Sequence, residues 1–160
     1  MAEIYGVTVK NIRCGKDHEG CAMFDATIYL NGKKLGHWSQ SYMCGPDEYD
    51  FDESLLDEAV EKFRASDIVE PKYKDIVDAD ILISKLIGLV EDEKGFKHGL
   101  KEGHKTFIVQ EHGFRESTWL DSTDKEEIKK SADYYDLAKG GQNVLIYTSP
   151  KDFIIDSENA

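Results

Sequence analysis

Phe24, Ala26, Ile28 and Leu30 alternate with polar or amphipathic neighbours, the two-residue period of a strand with one buried face. Asn31-Gly32 follows at once, and both residue types tolerate the positive φ of a type I′ hairpin turn. The turn sets a register in which Leu30 faces Lys33, Ile28 faces Leu35, Ala26 faces His37 and Asp25 lies opposite Trp38. Ile4–Arg13 reads as a preceding strand, which completes a three-stranded antiparallel meander. The period then changes. Leu55, Leu56, Ala59, Val60 and Phe63 form a stripe at helical spacing, opened by Ser54 with Asp57 three residues on. After the break at Pro71 a second helix is expected from Ile76 to Glu91.

The second half repeats the alternation of types. Gly95, Gly99 and Gly103 recur every fourth residue across Lys94–Lys105. Each costs a helix about 1 kcal/mol relative to Ala, so the stretch reads as a loop. Thr106–Gln110 reads as a buried strand with Phe114–Leu120 as its hairpin partner. Thr123 and Glu126 form a capping box for a helix reaching about Lys139, stopped by Gly140-Gly141. Asn143–Thr148 is a final strand, ended by Pro150. The pattern therefore predicts an α+β fold: an N-terminal antiparallel β-meander, two helices, a second β-hairpin, a helix and a C-terminal strand. At 160 residues, residues 1–160 are read as one α+β domain.

Charge sharpens this picture. The net charge is −12, and residues 47–93 hold sixteen acidic against five basic side chains. Such a field favours a cationic partner and opposes direct binding to nucleic acid, whose affinity comes largely from Lys and Arg on phosphates. The longest apolar run, Ile81–Val90, is interrupted and far short of the ~20 residues that cross a bilayer. With an N-terminus unlike a signal peptide and three cysteines, a cytoplasmic, reduced protein without membrane contact is expected.

Within the acidic third, Asp47, Glu48, Asp50, Asp52, Glu53, Asp57 and Glu58 place seven carboxylates in twelve residues, interleaved with Tyr49 and Phe51. Acids with aromatic anchors suit a surface that covers the basic groove of a nucleic-acid-processing protein, as a mimic of DNA. Glu61, Asp67, Glu70, Asp75, Asp78 and Asp80 would extend such a face. The plainer reading is a solvated helix start whose acids complement the helix dipole. Lys94, Lys97, His98, Lys101, His104 and Lys105 form one basic patch, read as offsetting those acids or as solvated surface.

Cys14-x3-His18-x2-Cys21, with Cys44 brought to the same sheet end by the hairpin register, would make a Cys3His set suited to tetrahedral zinc. No other cofactor is expected, and separate free thiols are the plainer alternative. Enzyme signatures are thin: there is no G-x-S-x-G, Walker loop, H-E-x-x-H or dinucleotide fingerprint. Asp47 with Glu70 and Lys72 imitates a metal-dependent nuclease, but Pro71 argues against the central strand that site needs.

The string F-D-A-T-I-Y-L-N-G-K-K at Phe24–Lys34 resembles the N-terminal hairpin of small proteins encoded by phages and mobile elements. The resemblance implies a genomic setting and brings no catalytic residues. Together these features predict an acidic, non-enzymatic binding protein, of the kind phages use to block a host defence nuclease (an anti-CRISPR-like inhibitor). A small zinc-bearing adaptor and an enzyme without a recognisable motif are the alternatives.

Overall fold

The computed structural model describes residues 1–41 and 45–159. Mixed helix and sheet make the fold α+β, as the periodicities predict. The chain forms two compact units, Met1–Gly88 with Ile154–Ala160, and Leu89–Phe153.

The first unit is built on a six-stranded sheet of β1 (Glu3–Ile4), β2 (Val7–Lys16), β3 (Ala22–Leu30), β4 (Lys33–Ser39), β5 (Glu48–Tyr49) and β9 (Ile154–Ile155), in the order β5-β4-β3-β2-β1-β9. Asn31 and Gly32 both adopt positive φ, 49° and 77°, and form the expected tight turn. A second turn of the same kind, at Tyr5 (φ 45°) and Gly6 (φ 83°), folds β1 onto β2 and was not legible from the alternation.

The predicted register holds only at the turn itself. Leu30 faces Lys33, but a bulge then leaves Leu35 unpaired, so Ile28 faces Gly36, Ala26 faces Trp38 and Asp25 faces Ser39. The slip puts Trp38 on the core face with Ala26, and both are fully buried. With the predicted pairing the indole would have turned to the opposite face, because register and facing alternate together. Gly36 is required here: a Cβ would lie 2.1 Å from Asp50 Oδ1 and 2.8 Å from the Phe51 ring.

The helical stripe forms α1 (Asp57–Ala65), preceded by a 3-10 turn over Glu53–Leu56. Asp52, rather than Ser54, is the cap residue, its side chain accepting from the Ser54 N–H. Leu56, Ala59, Val60 and Phe63 are buried, whereas Leu55 is exposed. They share the unit's core with Ile4, Val7, Val9, Ile28 and Trp38 from the sheet and with Leu82, Ile83, Leu86 and Ile87 from the next helix.

That helix, α2 (Ala79–Lys101), contains the boundary between the units and corrects the expected loop. Its glycines are packing positions. A Cβ at Gly95 would meet Phe107 Cζ at 2.7 Å, and one at Gly99 would meet Trp119 Cδ1 at 2.2 Å. Their spacing of four puts both on one face, where aromatic rings lie against bare backbone. The Trp119 indole N–H donates to the Gly95 carbonyl at 2.9 Å. The helix stops at Gly103 (φ 93°) in a Schellman motif, with His104 N–H donating to Gly99 C=O and Gly103 N–H to Leu100 C=O.

The second unit carries a three-stranded antiparallel sheet, β7 (Ser117–Leu120), β6 (Thr106–Gln110) and β8 (Val144–Tyr147), with β6 central and buried along its whole length. Ile108 packs with Ile128, Leu137 and Val144. The helix expected from Thr123 to Lys139 is two: α3 (Lys125–Lys129), capped by Asp124, and α4 (Ala132–Ala138), capped by Ser131. A residue whose side chain caps a new start breaks the run, and Ser131 does so by accepting from Tyr134 N–H at 3.2 Å. Gly140 and Gly141 end it at φ 74° and 79°.

The β6–β7 hairpin also departs from expectation. Its second strand begins at Ser117, three residues later than predicted, and Phe114 sits in the connecting loop. That loop is tied down by Asp92 of α2, which is 5% exposed. Asp92 accepts from Arg115 Nη2 at 2.7 and 2.8 Å and from the Tyr147 hydroxyl at 2.9 Å. Burial, and then the Asp92 charge, push the Tyr147 phenol well above its usual range. Among the described residues, no helix is long and apolar enough to cross a membrane.

Candidate functional site

Six carboxylates in the first unit open onto one cleft of about 290 Å³: Asp47, Glu53, Asp57, Glu61, Asp78 and Asp80. Tyr49, Val60 and Arg64 line it with them. Three segments supply them. Asp47 and Tyr49 come from β5 and the approach to it, Glu53, Asp57 and Glu61 from the 3-10 turn and α1, and Asp78 and Asp80 from the start of α2. Spacing of four places Asp57 and Glu61 on one face of α1. Asp78 stands just before α2, its carboxylate accepting from Ile81 N–H at 2.9 Å.

The cleft holds its own acids by hydrogen bonds. The Trp38 indole donates to Asp47 at 3.1 Å, and the Tyr49 hydroxyl donates to Asp80 in a short bond. Desolvation, with the neighbouring Asp80 charge next in weight, raises the Asp47 carboxyl above the ordinary carboxylate range. Burial and the bond to Asp80 push the Tyr49 phenol up as well, so it stays a donor. Among the described residues, Arg64 is the one basic side chain in the lining. It bonds Glu61 and donates to the Val77 carbonyl at 2.6 Å, while its buried Nε has no partner among the described residues. Glu53 and Asp57 have no hydrogen-bonded or ion-paired side-chain partner among the described residues. Such a lining can accept a cationic group, its free carboxylates supplying charge and Tyr49 an aromatic edge.

Comparison of the chain with known protein families, curated proteins and solved structures finds no match.

The structure sorts the predicted acidic segment by role. Asp47, Tyr49, Glu53 and Asp57 reach the cleft, and Glu61, Asp78 and Asp80 of the predicted extension join them. The others lie elsewhere. Asp50 accepts from His37 N–H at 2.5 Å and secures β4. Asp52 caps the 3-10 turn, and the Ser54 hydroxyl bonded to it lowers its pKa. Glu58 pairs with Lys62 at 2.6 Å on the exposed face of α1, and that bond lowers its pKa. Glu48 is exposed on β5, and Phe51 packs edge-on against Tyr49 at 5.4 Å. Glu70 pairs with Lys72 instead of joining the cleft. Sequence reasoning missed Val60 and Arg64 as site residues; standing three and seven residues after Asp57, they share its face of the helix only once α1 is known to start at Asp57.

The thiol and imidazole set is dispersed differently from the prediction. β2 runs on to Lys16, so Cys14 lies on a strand, paired with Phe24, rather than in a loop. Its thiol and that of Cys21 are exposed and free. Asp17 organises the loop between them by accepting from Glu19 and Cys21 N–H groups at 2.9 and 2.8 Å. His18 and Cys21 share a hollow of about 460 Å³ that Cys14 does not line. Cys44 lies outside the described residues, and among those described no three His, Cys, Asp or Glu side chains are grouped to hold a metal ion. The basic patch is offset locally: Lys94 by Glu91, Lys97 by Glu93, His98 by Glu102 and His104 by Asp121.

Proposed function

We propose that this chain is an acidic binding protein whose first unit receives a basic segment of a partner protein in the carboxylate cleft. The convergence of six carboxylates from three segments on one hollow, opposed among the described residues by Arg64 alone in its lining, carries the reading. Charge distribution agrees with it. The first unit holds nineteen acidic and ten basic side chains and the second thirteen and ten, so nine of the twelve net negative charges belong to the unit with the cleft. A concentrated field of this kind steers a cationic partner and sets the register of docking more than it sets raw affinity.

The partner class that fits is a basic surface built to hold phosphates, and blocking such a surface on a host nucleic-acid-processing enzyme is the function we favour. Lys or Arg side chains from that surface would enter the cleft beside Glu53 and Asp57, the two carboxylates not already committed. The test is a comparison of the native chain with the Glu53→Gln, Asp57→Asn, Glu61→Gln triple variant. Both are titrated with a fluorescent octa-arginine peptide and used as bait for basic nucleic-acid enzymes at low and high salt. Binding should weaken about tenfold or more in the variant and should fall with salt for the native chain. Equal binding by the two proteins would sink the proposal.

A further inference from the structure

Asp47 lines two hollows of the first unit, the carboxylate cleft of about 290 Å³ and the hollow of about 460 Å³ that holds His18 and Cys21. A side chain shared by both linings makes the hollows neighbours across a single carboxylate. That carboxylate is fixed from behind, since it accepts from the indole of fully buried Trp38 at 3.1 Å. The second hollow is built on paired strands and the turn that joins them. Ala22 and Met23 belong to β3, where Met23 faces Gly15 of β2. Asp17 holds the turn: its N–H donates to the Cys21 carbonyl at 3.0 Å, and its carboxylate accepts from the Glu19 and Cys21 N–H groups. Gln40 stands beside β3, its side-chain oxygen accepting from Phe24 N–H at 2.9 Å. Among the described residues the second lining carries Asp17 and Glu19 beside Asp47 and no Lys or Arg. It differs from the cleft in also presenting Ala22, Met23 and the exposed Cys21 thiol.

We infer that the two hollows form one peptide groove with Asp47 at its middle, which takes an extended segment of a partner protein. Lys or Arg side chains of that segment fill the cleft, and an uncharged side chain lies over Met23 and Cys21. The inference rests on the reading of the cleft proposed above and adds a second subsite and the kind of sequence that fills it. Nucleic acid would set its phosphates against the carboxylates of both linings. A free polyamine would answer the charges but leave Ala22 and Met23 uncovered. A peptide answers both, because cationic and apolar side chains can follow one another along one extended main chain. All the residues of the groove belong to the first unit, so its form depends on that unit alone.

Octa-arginine ending in a cysteine capped with thionitrobenzoate tests this, with Cys21 as the reporter. The Cys21 thiolate attacks the peptide sulfur, a protein–peptide disulfide forms, and thionitrobenzoate leaves as the coloured thiolate. The full chain carries Cys44→Ser, so Cys14 and Cys21 are its two thiols. Cys14, exposed but outside the hollow, is the internal control. Relative to a Gly-Ser peptide with the same cap, octa-arginine should label Cys21 about tenfold or more faster and Cys14 less than about threefold faster, since docking raises the local concentration of the peptide sulfur. Glu53→Gln with Asp57→Asn, both outside the second hollow, should remove the gain at Cys21. Equal acceleration at both thiols, or at neither, while octa-arginine still binds would overturn the groove and leave the cleft reading standing. A gain at Cys21 that survives the double variant would overturn the link between the hollows. Failure of octa-arginine to bind the native chain would overturn both readings.

Discussion

Replacing Gly99 by Ala separates two opposed expectations. Helix propensity alone says the change stabilises α2 by about 1 kcal/mol, because Gly is the poorer helix former. The packing says otherwise. The new Cβ would stand 2.2 Å from Cδ1, 2.6 Å from Nε1 and 2.9 Å from Cγ of Trp119. The ring cannot retreat freely, since its N–H is bonded to Gly95 and Phe107 packs beside it at 6.1 Å between centroids. Overpacking of this kind costs about 1–3 kcal/mol, and a lost indole hydrogen bond adds about 1 kcal/mol. Set against the propensity gain, the net is a destabilisation of about 2 kcal/mol, or about 4–8 °C in Tm for a chain of this size. Urea titration followed by circular dichroism and Trp fluorescence measures it, with Lys101→Ala as an exposed control on the same helix. In a Trp119→Leu background the same glycine change should become neutral or stabilising, which isolates the ring contact. A Gly99→Ala protein as stable as the native chain would refute the packing argument.

Two other outcomes are expected. Tyr147→Phe deletes one of the bonds to buried Asp92 while leaving Arg115 in place, and should cost about 1.5–3 kcal/mol as a hydrogen bond to a charged group; a loss under about 0.5 kcal/mol would show the hydroxyl to be dispensable. Asp80→Asn tests the acidic cleft by pH. The folded-state pKa of Asp47 is raised, so its contribution to stability is complete below the unfolded value near 3.8 and is lost as pH rises through the folded value. Removing the Asp80 charge should lower that pKa and relieve the loss. The variant loses the charged acceptor of the Tyr49 hydroxyl at every pH, but relative to the native chain its stability should improve as pH rises from acid, where Asp47 is protonated, towards neutral. A stability difference between the two that does not change with pH would contradict the coupling.

Local rules read some of this fold correctly because the relevant physics is local. Asn31-Gly32 needs only its own backbone freedom to make a turn, and Gly140-Gly141 likewise ends α4. The failures are non-local. Gly95 and Gly99 look like helix breakers until Phe107 and Trp119 arrive from strands ten and more residues downstream to fill the space they leave. The bulge at Leu35 depends on Asp50 and Phe51 lying against Gly36, which no alternation within the hairpin announces. Phe114 has the hydrophobicity of a core strand residue but is turned out by Arg115, whose partner Asp92 is 23 residues away. The acidic segment was visible as composition, yet its division between cleft, cap and sheet bond follows from where α1 and α2 begin. Asp78 and Asp80 enter the cleft because α2 starts at Ala79, three residues later than the apolar stripe suggests.

The parallel pairing of β9 with β1 joins Glu3 to Ile154 and Ile4 to Ile155. Strand β1 therefore waits for a partner strand made 151 positions later in the chain. With sixty-five positions between Gly88 and Ile154, translation at about 5–20 residues per second leaves that edge open for about 3–13 s. During this interval the growing chain exposes an open edge of β1, the circumstance in which nascent chains associate wrongly. Closure by Ile154–Ile155 completes the sheet order, so a chain broken off before them leaves the β1 edge open.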